Sequence, residues 1–178
     1  MWQIPASAAR ESLWPIEVSR SAEVYDRQGH WAEPTARSAA MDFDQTLRSG
    51  FRHAPFIAHL GIELENLGPG FCEAGLAIQP WHLQQTKVVH AGVIATLADH
   101  CAGAAASTDL QAGEFVVTAE YKINLLRGAR GEKLRCRAEV LKPGRRLTVV
   151  EAQVWSEAGG RSELVAKLNA TMAVVTQR

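Results

Sequence analysis

HAGVIATLADHCAGAAA, residues 90–106, is apolar over almost its whole length. Ten of its seventeen residues are Ala, Gly or Cys, and the larger aliphatic side chains are Val93, Ile94 and Leu97. A helix of this composition has almost no polar side, so it belongs in the interior of a protein. Its small residues allow other backbone to approach closely, which favours a helix enclosed by a curved sheet.

One carboxylate, Asp99, lies within this predicted helix. Burying an ionised carboxylate costs several kcal/mol unless the group is paired or its pKa shifts. Two interpretations therefore stay open. Asp99 is either a hydrogen-bonded residue of the core or of a wet helix edge, or it is a catalytic group.

Length and composition limit the class of protein. The chain has 178 residues, 47% of them hydrophobic, and a net charge of zero, which indicates one domain and excludes a globally charged nucleic-acid binder. Cys72, Cys101 and Cys136 form no C-x-x-C pair, so we expect reduced thiols, a cytoplasmic protein and no metal site. The N-terminus does not resemble a signal peptide. The single long apolar run, 88–106, is interrupted by two polar residues and predicts no membrane span.

Residues 1–40 differ from the rest of the chain. They combine three prolines with Trp2, Trp14 and Trp31 and show no sustained periodicity. We predict a mobile N-terminal extension over 1–40 and the functional domain over 41–178. Anchoring of the extension through its tryptophans, on the domain or on a partner, is the alternative.

The pattern before the central helix predicts helical turns and then a hairpin. Residues 42–59 favour one or two short helical turns, broken near Pro55 and ended by Gly61. The period then changes to that of strands, with a turn at 68–70. The predicted buried face of the hairpin consists of Ile62, Leu64, Cys72, Ala74, Leu76 and Ile78.

Alternation predicts four further strands, over 115–126, 132–142, 146–156 and 162–175. The shared face predicted for the first consists of Val117, Ala119, Tyr121, Ile123 and Leu125, which leaves Thr118 on the opposite, polar face. The inward residues predicted for the others are Leu134, Cys136, Ala138 and Val140, then Thr148, Val150, Ala152 and Val154, then Leu164, Ala166, Leu168, Ala170, Met172 and Val174. Short turns make consecutive strands antiparallel neighbours in most cases.

One helix covers only one face of such a sheet. Leu147, Val149 and Trp155 lie on the outward side of one strand, so we expect another subunit to cover the second face. A homodimer or a larger symmetric assembly, such as a dimer of dimers, is predicted.

Three segments carry a resemblance to a known family: QQTKVVHAGVIATLAD, VVTAEYKINLLRGARG and LKPGRR. With this order of elements, residues 55–175 resemble the hotdog-fold acyl-CoA thioesterases of the PaaI type, relatives of the 4-hydroxybenzoyl-CoA thioesterases. The resemblance implies an α+β fold in which an antiparallel β-sheet wraps around one long buried central helix. It also implies hydrolysis of an acyl-CoA or aroyl-CoA thioester to the acid and CoA, with two sites at each dimer interface.

The spacing within the central helix bears on such a site. Asp99 lies nine residues after His90, which on a straight helix is a rise of about 13–14 Å and a rotation of about half a turn. The two residues cannot meet within one helix. If both serve one reaction centre, they come from two chains.

Thioester hydrolysis then suggests roles for the helix residues. The free N–H groups of Ala91 and Gly92 at the helix start would stabilise the carbonyl oxygen as it becomes negative. Asp99 would act as general base or attack the carbonyl itself, and both routes stay open. His90 would orient the loop and the carbonyl, although a purely structural histidine at a helix start is the alternative.

Two further polar residues correspond to family positions. Gln84 stands six residues before His90, where family members often carry Asn, and retains an amide for hydrogen bonding. Thr118 stands where the family often has Ser or Thr near the nucleophilic water, although a plain strand residue is equally compatible with the pattern.

Positive charge is concentrated between residues 120 and 146. This segment contains nine Lys and Arg residues but only three Glu residues, and a phosphorylated carrier fits this surplus of positive charge. By resemblance, Arg127 and the turn of Gly144, Arg145 and Arg146 would contact the phosphates of CoA. Aromatic residues do not alternate with these charges, so we expect no nucleic-acid partner.

The sequence therefore predicts an acyl-CoA thioesterase with no metal or redox cofactor, CoA being part of the substrate. The alternatives are a non-catalytic acyl-CoA-binding hotdog module, which Asp99 argues against, and a hotdog dehydratase or hydratase, whose motifs are absent from the sequence. The acyl group would depend on pocket residues such as Phe56, Leu60, Trp81 and Leu83.

Overall fold

The computed structural model describes residues 36–111 and 113–176, with side chains from residue 45 onward. From Phe43 the chain forms one compact unit. The predicted extension over 1–40, with its tryptophans, lies almost entirely outside the described residues. The boundary at residue 41 therefore stays a prediction.

Two helices precede the sheet: α1 (Ala36–His53) and α2 (Pro55–Leu60). The predicted break near Pro55 is confirmed, because Ala54 takes the extended conformation that a following proline favours. Gly61 ends α2 in the left-handed region at φ 70°, as expected of a glycine after a helix. The first helix is longer than the predicted short turns. None of the described helices is long and apolar enough to span a membrane.

Six strands form one antiparallel sheet around a single long helix, α3 (Ala91–Ser107). The strands are β1 (Ile62–Gly68), β2 (Phe71–Ala77), β3 (Glu114–Leu125), β4 (Lys133–Lys142), β5 (Leu147–Ala158) and β6 (Arg161–Thr176). Their order is β1-β2-β4-β5-β6-β3, and α3 contacts all six. The predicted α+β architecture is confirmed. The expectation that consecutive strands are neighbours is wrong for β3, which pairs with β6 and lies at an edge.

The core lies between α3 and the inner face of the sheet. The inward residues predicted for β2, β4, β5 and β6 are almost all buried there, among them Cys72, Leu134, Val154 and Leu168, which are fully buried. The prediction is wrong for Leu164, because a bulge in β6 pairs it with Trp155 on the outward face and buries Val165 instead. Cys72, Cys101 and Cys136 are buried free thiols, and the Cys101 thiol donates to the Cys72 carbonyl oxygen at 3.1 Å. Small helix side chains therefore bring α3 within hydrogen-bonding distance of strand backbone.

Strand β3 departs from the predicted alternation. Its register against β6 is interrupted immediately after Thr118, which pairs with Met172, while Tyr121 pairs with Ala170. Three steps along β3 thus match two along β6, so a bulge inserts one residue. Met172 and Ala170 are buried on the helix side, and Thr118 and Tyr121 therefore share that side. The prediction that placed them on opposite faces is wrong, because the bulge reverses the alternation.

We expect Ala102→Leu to lower the free energy of unfolding by about 1–3 kcal/mol, because Ala102 is fully buried and a larger side chain overpacks the core. The matched control is Gly103→Ala, whose added Cβ meets no atom within 4 Å. That change should raise the free energy of unfolding by about 0.5–1 kcal/mol through helix propensity. Denaturant titration measures both. An unchanged value for Ala102→Leu would contradict close packing of α3 on the sheet.

Candidate active site

His90 caps the N-terminus of α3. It takes an extended conformation at φ −62° and ψ 135°, and its Nδ1 accepts from the Gly92 N–H at 2.9 Å. Its carbonyl oxygen accepts from the Val93 N–H at 3.0 Å. Of the two N–H groups predicted to bind a carbonyl oxygen, the one of Gly92 is thus occupied by His90. The Ala91 N–H has no partner in the described part of the chain.

A cleft of about 380 Å³ lies beside this helix start. Polar and apolar atoms contribute about equally to its surface. The lining residues are Gln84, Val88, Val89, Ala91, Ile94, Leu125, Leu126, Arg127, Gly128 and Ala129. It therefore brings together three of the predicted site residues, Gln84, Ala91 and Arg127. The residues suggested for the acyl pocket are not part of this lining, and two of them, Phe56 and Trp81, are largely exposed.

The loop before α3 holds Gln84 at this cleft. The Gln84 N–H donates to the Val88 carbonyl oxygen at 2.9 Å, and Leu83 pairs with Val89 across the loop. The Gln84 side-chain amide donates to the Thr86 hydroxyl at 3.0 Å. The amide oxygen of Gln84 is left as an acceptor at the cleft.

Arg127 enters the cleft from the end of β3. Its Nε lies 3.0 Å from a carboxylate oxygen of Glu163, and its Nη1 donates to the Leu164 carbonyl oxygen at 3.2 Å. Both anchors belong to β6. The rest of the guanidinium keeps free N–H groups that can bind an anion.

Asp99 forms a second centre, away from the cleft. The Thr118 hydroxyl of β3 donates to a carboxylate oxygen of Asp99 at 2.8 Å and lies 3.5 Å from the Met172 sulfur. Asp99 is half-buried rather than fully enclosed. Its other carboxylate oxygen is therefore available to a water molecule or a substrate.

The two centres do not meet within one chain. Ala91 and Asp99 belong to the same continuous helix, eight residues or about 12 Å apart along its axis. Arg127 and the turn of Gly144, Arg145 and Arg146 are also separated. The Arg127 N–H donates to the Val165 carbonyl oxygen, and the Arg146 carbonyl oxygen accepts from the Val174 N–H. Val165 and Val174 are nine residues, or about 30 Å, apart along β6.

His82 is a site residue that sequence reasoning missed. It is buried, its carbonyl oxygen accepts from the His90 N–H at 2.8 Å, and its Nδ1 accepts from the Gln79 N–H at 3.1 Å. Burial lowers the pKa of His82, so the imidazole is neutral near pH 7. It fixes the approach of the chain to the helix start. Nothing in the sequence pattern indicated this role, because the contact to His90 is made by the backbone.

Comparison with known proteins assigns the chain to a family. Residues 86–163 match the model of the thioesterase superfamily, a region that contains Ala91, Asp99, Thr118 and Arg127. A thioesterase family protein from Silicibacter pomeroyi is 34% identical, with a TM-score of 0.74 over 76% of this chain and 99% of that one. The chain belongs to the thioesterase superfamily.

Two further proteins are similar to this member of the thioesterase superfamily. A Haemophilus influenzae protein named as a candidate esterase is 32% identical over 101 residues, covering 57% of this chain and 73% of that protein. The Escherichia coli PaaI protein, at 18% identity, has a TM-score of 0.68 over 76% of this chain and 95% of its own. At that identity the likeness to PaaI shows the fold, and it confirms the hotdog architecture predicted from the sequence.

We expect His90→Ala to lower the free energy of unfolding by about 0.5–2 kcal/mol, because the Gly92 N–H loses its side-chain acceptor. His90→Asn should retain most of the stability, since the Asn side chain can accept the same bond. Denaturant unfolding of the three proteins measures the difference. Unchanged stability of His90→Ala would show that the cap contributes nothing, and equal losses in both variants would show that His90 stabilises the protein by something other than this hydrogen bond.

Proposed function

We propose that this member of the thioesterase superfamily hydrolyses an acyl-CoA or aroyl-CoA thioester to the free acid and CoA, in a site shared by two copies of the chain. The observation that carries the proposal is the carboxylate of Asp99, half-buried on an otherwise apolar helix and hydrogen-bonded to Thr118. Eight residues earlier, at the start of the same helix, Ala91, whose N–H is unpaired in the described residues, lines the cleft.

The chemistry divides between the start of α3, at Ala91, and its middle, at Asp99. The thioester carbonyl oxygen gains negative charge as the carbonyl is attacked, and the Ala91 N–H, with the helix dipole behind it, stabilises that charge. Asp99 takes the proton of a water that attacks the carbonyl, or attacks the carbonyl itself to give an anhydride that a water then hydrolyses. In both routes the carbon–sulfur bond breaks, and the CoA thiolate leaves and takes up a proton. The Thr118 hydroxyl holds the Asp99 carboxylate in place. Neither route needs a metal or a redox cofactor.

Strand β3 supplies the surface on which a second copy would bind. It is an edge strand of twelve residues, and the exposed apolar side chains along it are Phe115, Val117, Tyr121 and Leu125. The other edge, β1, has only seven residues, and its exposed side chains are the polar ones of Glu63, Glu65 and Asn66, so it offers a shorter strand without an exposed apolar surface. We therefore infer that two copies associate through β3.

Antiparallel pairing of β3 with its copy would bring the two centres together. Thr118, which binds Asp99, lies in the first half of β3, whereas Leu125 and the cleft with Ala91 lie at its end. A two-fold axis near the middle of β3 reverses one strand against the other. Asp99 of one copy then approaches the cleft of the other, and two equivalent sites form.

The same pairing suggests how the leaving group is held. Arg127 lies at the end of β3, and the turn of Gly144, Arg145 and Arg146 lies near its start. A two-fold axis places the turn of one copy on the side of Arg127 of the other. Together they would bind the phosphates of CoA. The apolar cleft residues Val88 and Ile94 then suit the acyl or aroyl group, and we place the reaction in the cytoplasm.

We expect Asp99→Asn to reduce kcat at least 100-fold with the fold intact, because the amide can neither take a proton nor attack. The assay is thiol release from short, medium, long-chain and aromatic acyl-CoAs. The matched control is Asp109→Asn, an exposed carboxylate just beyond the helix. Unchanged turnover would contradict the role of Asp99. CoA binding without hydrolysis of any substrate by the wild type would favour a binding module.

Mixing two inactive variants tests the sharing of the site. Ala91→Pro removes the N–H at the first helical position, where proline fits a helix and the extended His90 can precede it. Mixed with Asp99→Asn, it should restore about a quarter of wild-type activity, because half of the dimers are mixed and each has one intact site. Absence of activity in verified heterodimers would show that each site lies within one chain.

A further inference from the structure

Lys87 has a backbone conformation that a lysine rarely adopts. Among the described residues it is the one residue other than glycine with a positive φ, at 59°. Its N–H donates to the Gln84 carbonyl oxygen at 3.0 Å, which closes the turn of the loop before α3. Glycine adopts this left-handed region without steric cost, whereas a residue with a Cβ is strained in it. The loop thus carries a lysine where the backbone favours glycine.

This turn stands at the rim of the cleft. Lys87 lies between Gln84 and Val88, both of which line the cleft, and its carbonyl oxygen accepts from Arg130 Nη1 at 3.4 Å. The Arg130 carbonyl oxygen in turn accepts from the Ser156 hydroxyl at 2.9 Å. Arg130 therefore connects the turn to β5 and lies beside Lys87.

The charges of these two residues are not compensated. Both side chains are exposed, and in the described residues neither forms an ion pair with a carboxylate. Arg127 in the same cleft differs, because Glu163 pairs with it. Two neighbouring unpaired cations repel each other, and an anion bound between them relieves that repulsion.

We propose that Lys87 and Arg130 form an anion-binding rim for a phosphate group at the CoA end of the thioester substrate. This inference rests on the proposed function and deepens it, because it assigns a substrate group to residues outside the two reaction centres. A lysine and an arginine at one turn, both exposed and neither paired with a carboxylate in the described residues, suit a phosphate dianion. The phosphate is either that of the phosphopantetheine arm, which CoA shares with carrier proteins, or one of the nucleotide part of CoA.

The test measures binding by isothermal titration with three probes: CoA, 4′-phosphopantetheine and pantetheine. Lys87→Gly should weaken CoA binding about three- to tenfold and leave the binding of pantetheine unchanged. Its Tm should be no lower than that of the wild type, because glycine suits the turn at φ 59°. A structural role would predict the opposite direction of stability. Lys87→Arg should bind CoA like the wild type.

The second probe and two further variants distinguish which phosphate is bound and whether the effect is specific to the rim. Weakened binding of 4′-phosphopantetheine would identify the phosphate of the arm, and an effect confined to CoA would identify the nucleotide part. Arg130→Gln should weaken CoA binding to a similar extent, and Arg52→Gln, which removes a positive charge on α1, should not.

Equal CoA affinity in wild type and Lys87→Gly, or an equal loss of affinity for all three probes, would contradict the proposal of an anion-binding rim. Absence of CoA binding by the wild type would also overturn it. Since the readout is binding, hydrolysis is tested separately. If no thioester is hydrolysed but Lys87→Gly still weakens CoA binding, the proposed function is contradicted and the anion-binding role of Lys87 is supported.

Discussion

The close approach of α3 to the sheet is the constraint on which the rest of the structure depends. Ala98, Ala102 and Ala105 are fully buried, and the Cys101 thiol reaches the backbone of β2. Larger side chains at these positions would move the helix away from the strands, since protein interiors have no spare volume. The small residues therefore fix where α3 lies. The start of α3 meets the cleft, and its middle, at Asp99, meets β3.

A rigid helix in this position has a consequence for chemistry. The Ala91 N–H and the Asp99 carboxylate are held about 12 Å apart along one axis, so they cannot act on the same carbonyl within one chain. In the proposed function, a second copy completes the site. The open edge of β3, which carries Thr118 in its first half and ends beside the cleft, would supply both the surface and the symmetry for that arrangement. Fold, assembly and proposed catalysis thus depend on one helix.

Features that depend on residues adjacent in sequence could be predicted, whereas features that depend on contacts between distant residues could not. The inward faces of β4 and β5, and of β6 from Ala166 onward, followed directly from alternation, because a strand buried on one face repeats every two residues. Strand β3 did not, since its bulge after Thr118 shows only when β3 is paired with β6. A structural role of His90 at the helix start was one of two interpretations left open, and the support from His82 was missed. Both depend on the path of the loop that enters α3.

The sequence by itself determined the elements of this protein: one apolar helix containing Asp99, a first hairpin and four long strands. Hydrophobic period and turn residues act over a few positions, so they can be recognised without the fold. Only the tertiary structure decided that β3 lies at the edge beside β6, that Thr118 faces Asp99 and that Lys87 stands at the cleft rim. These features arise from hydrogen bonds and packing between residues distant in sequence, which no local pattern encodes.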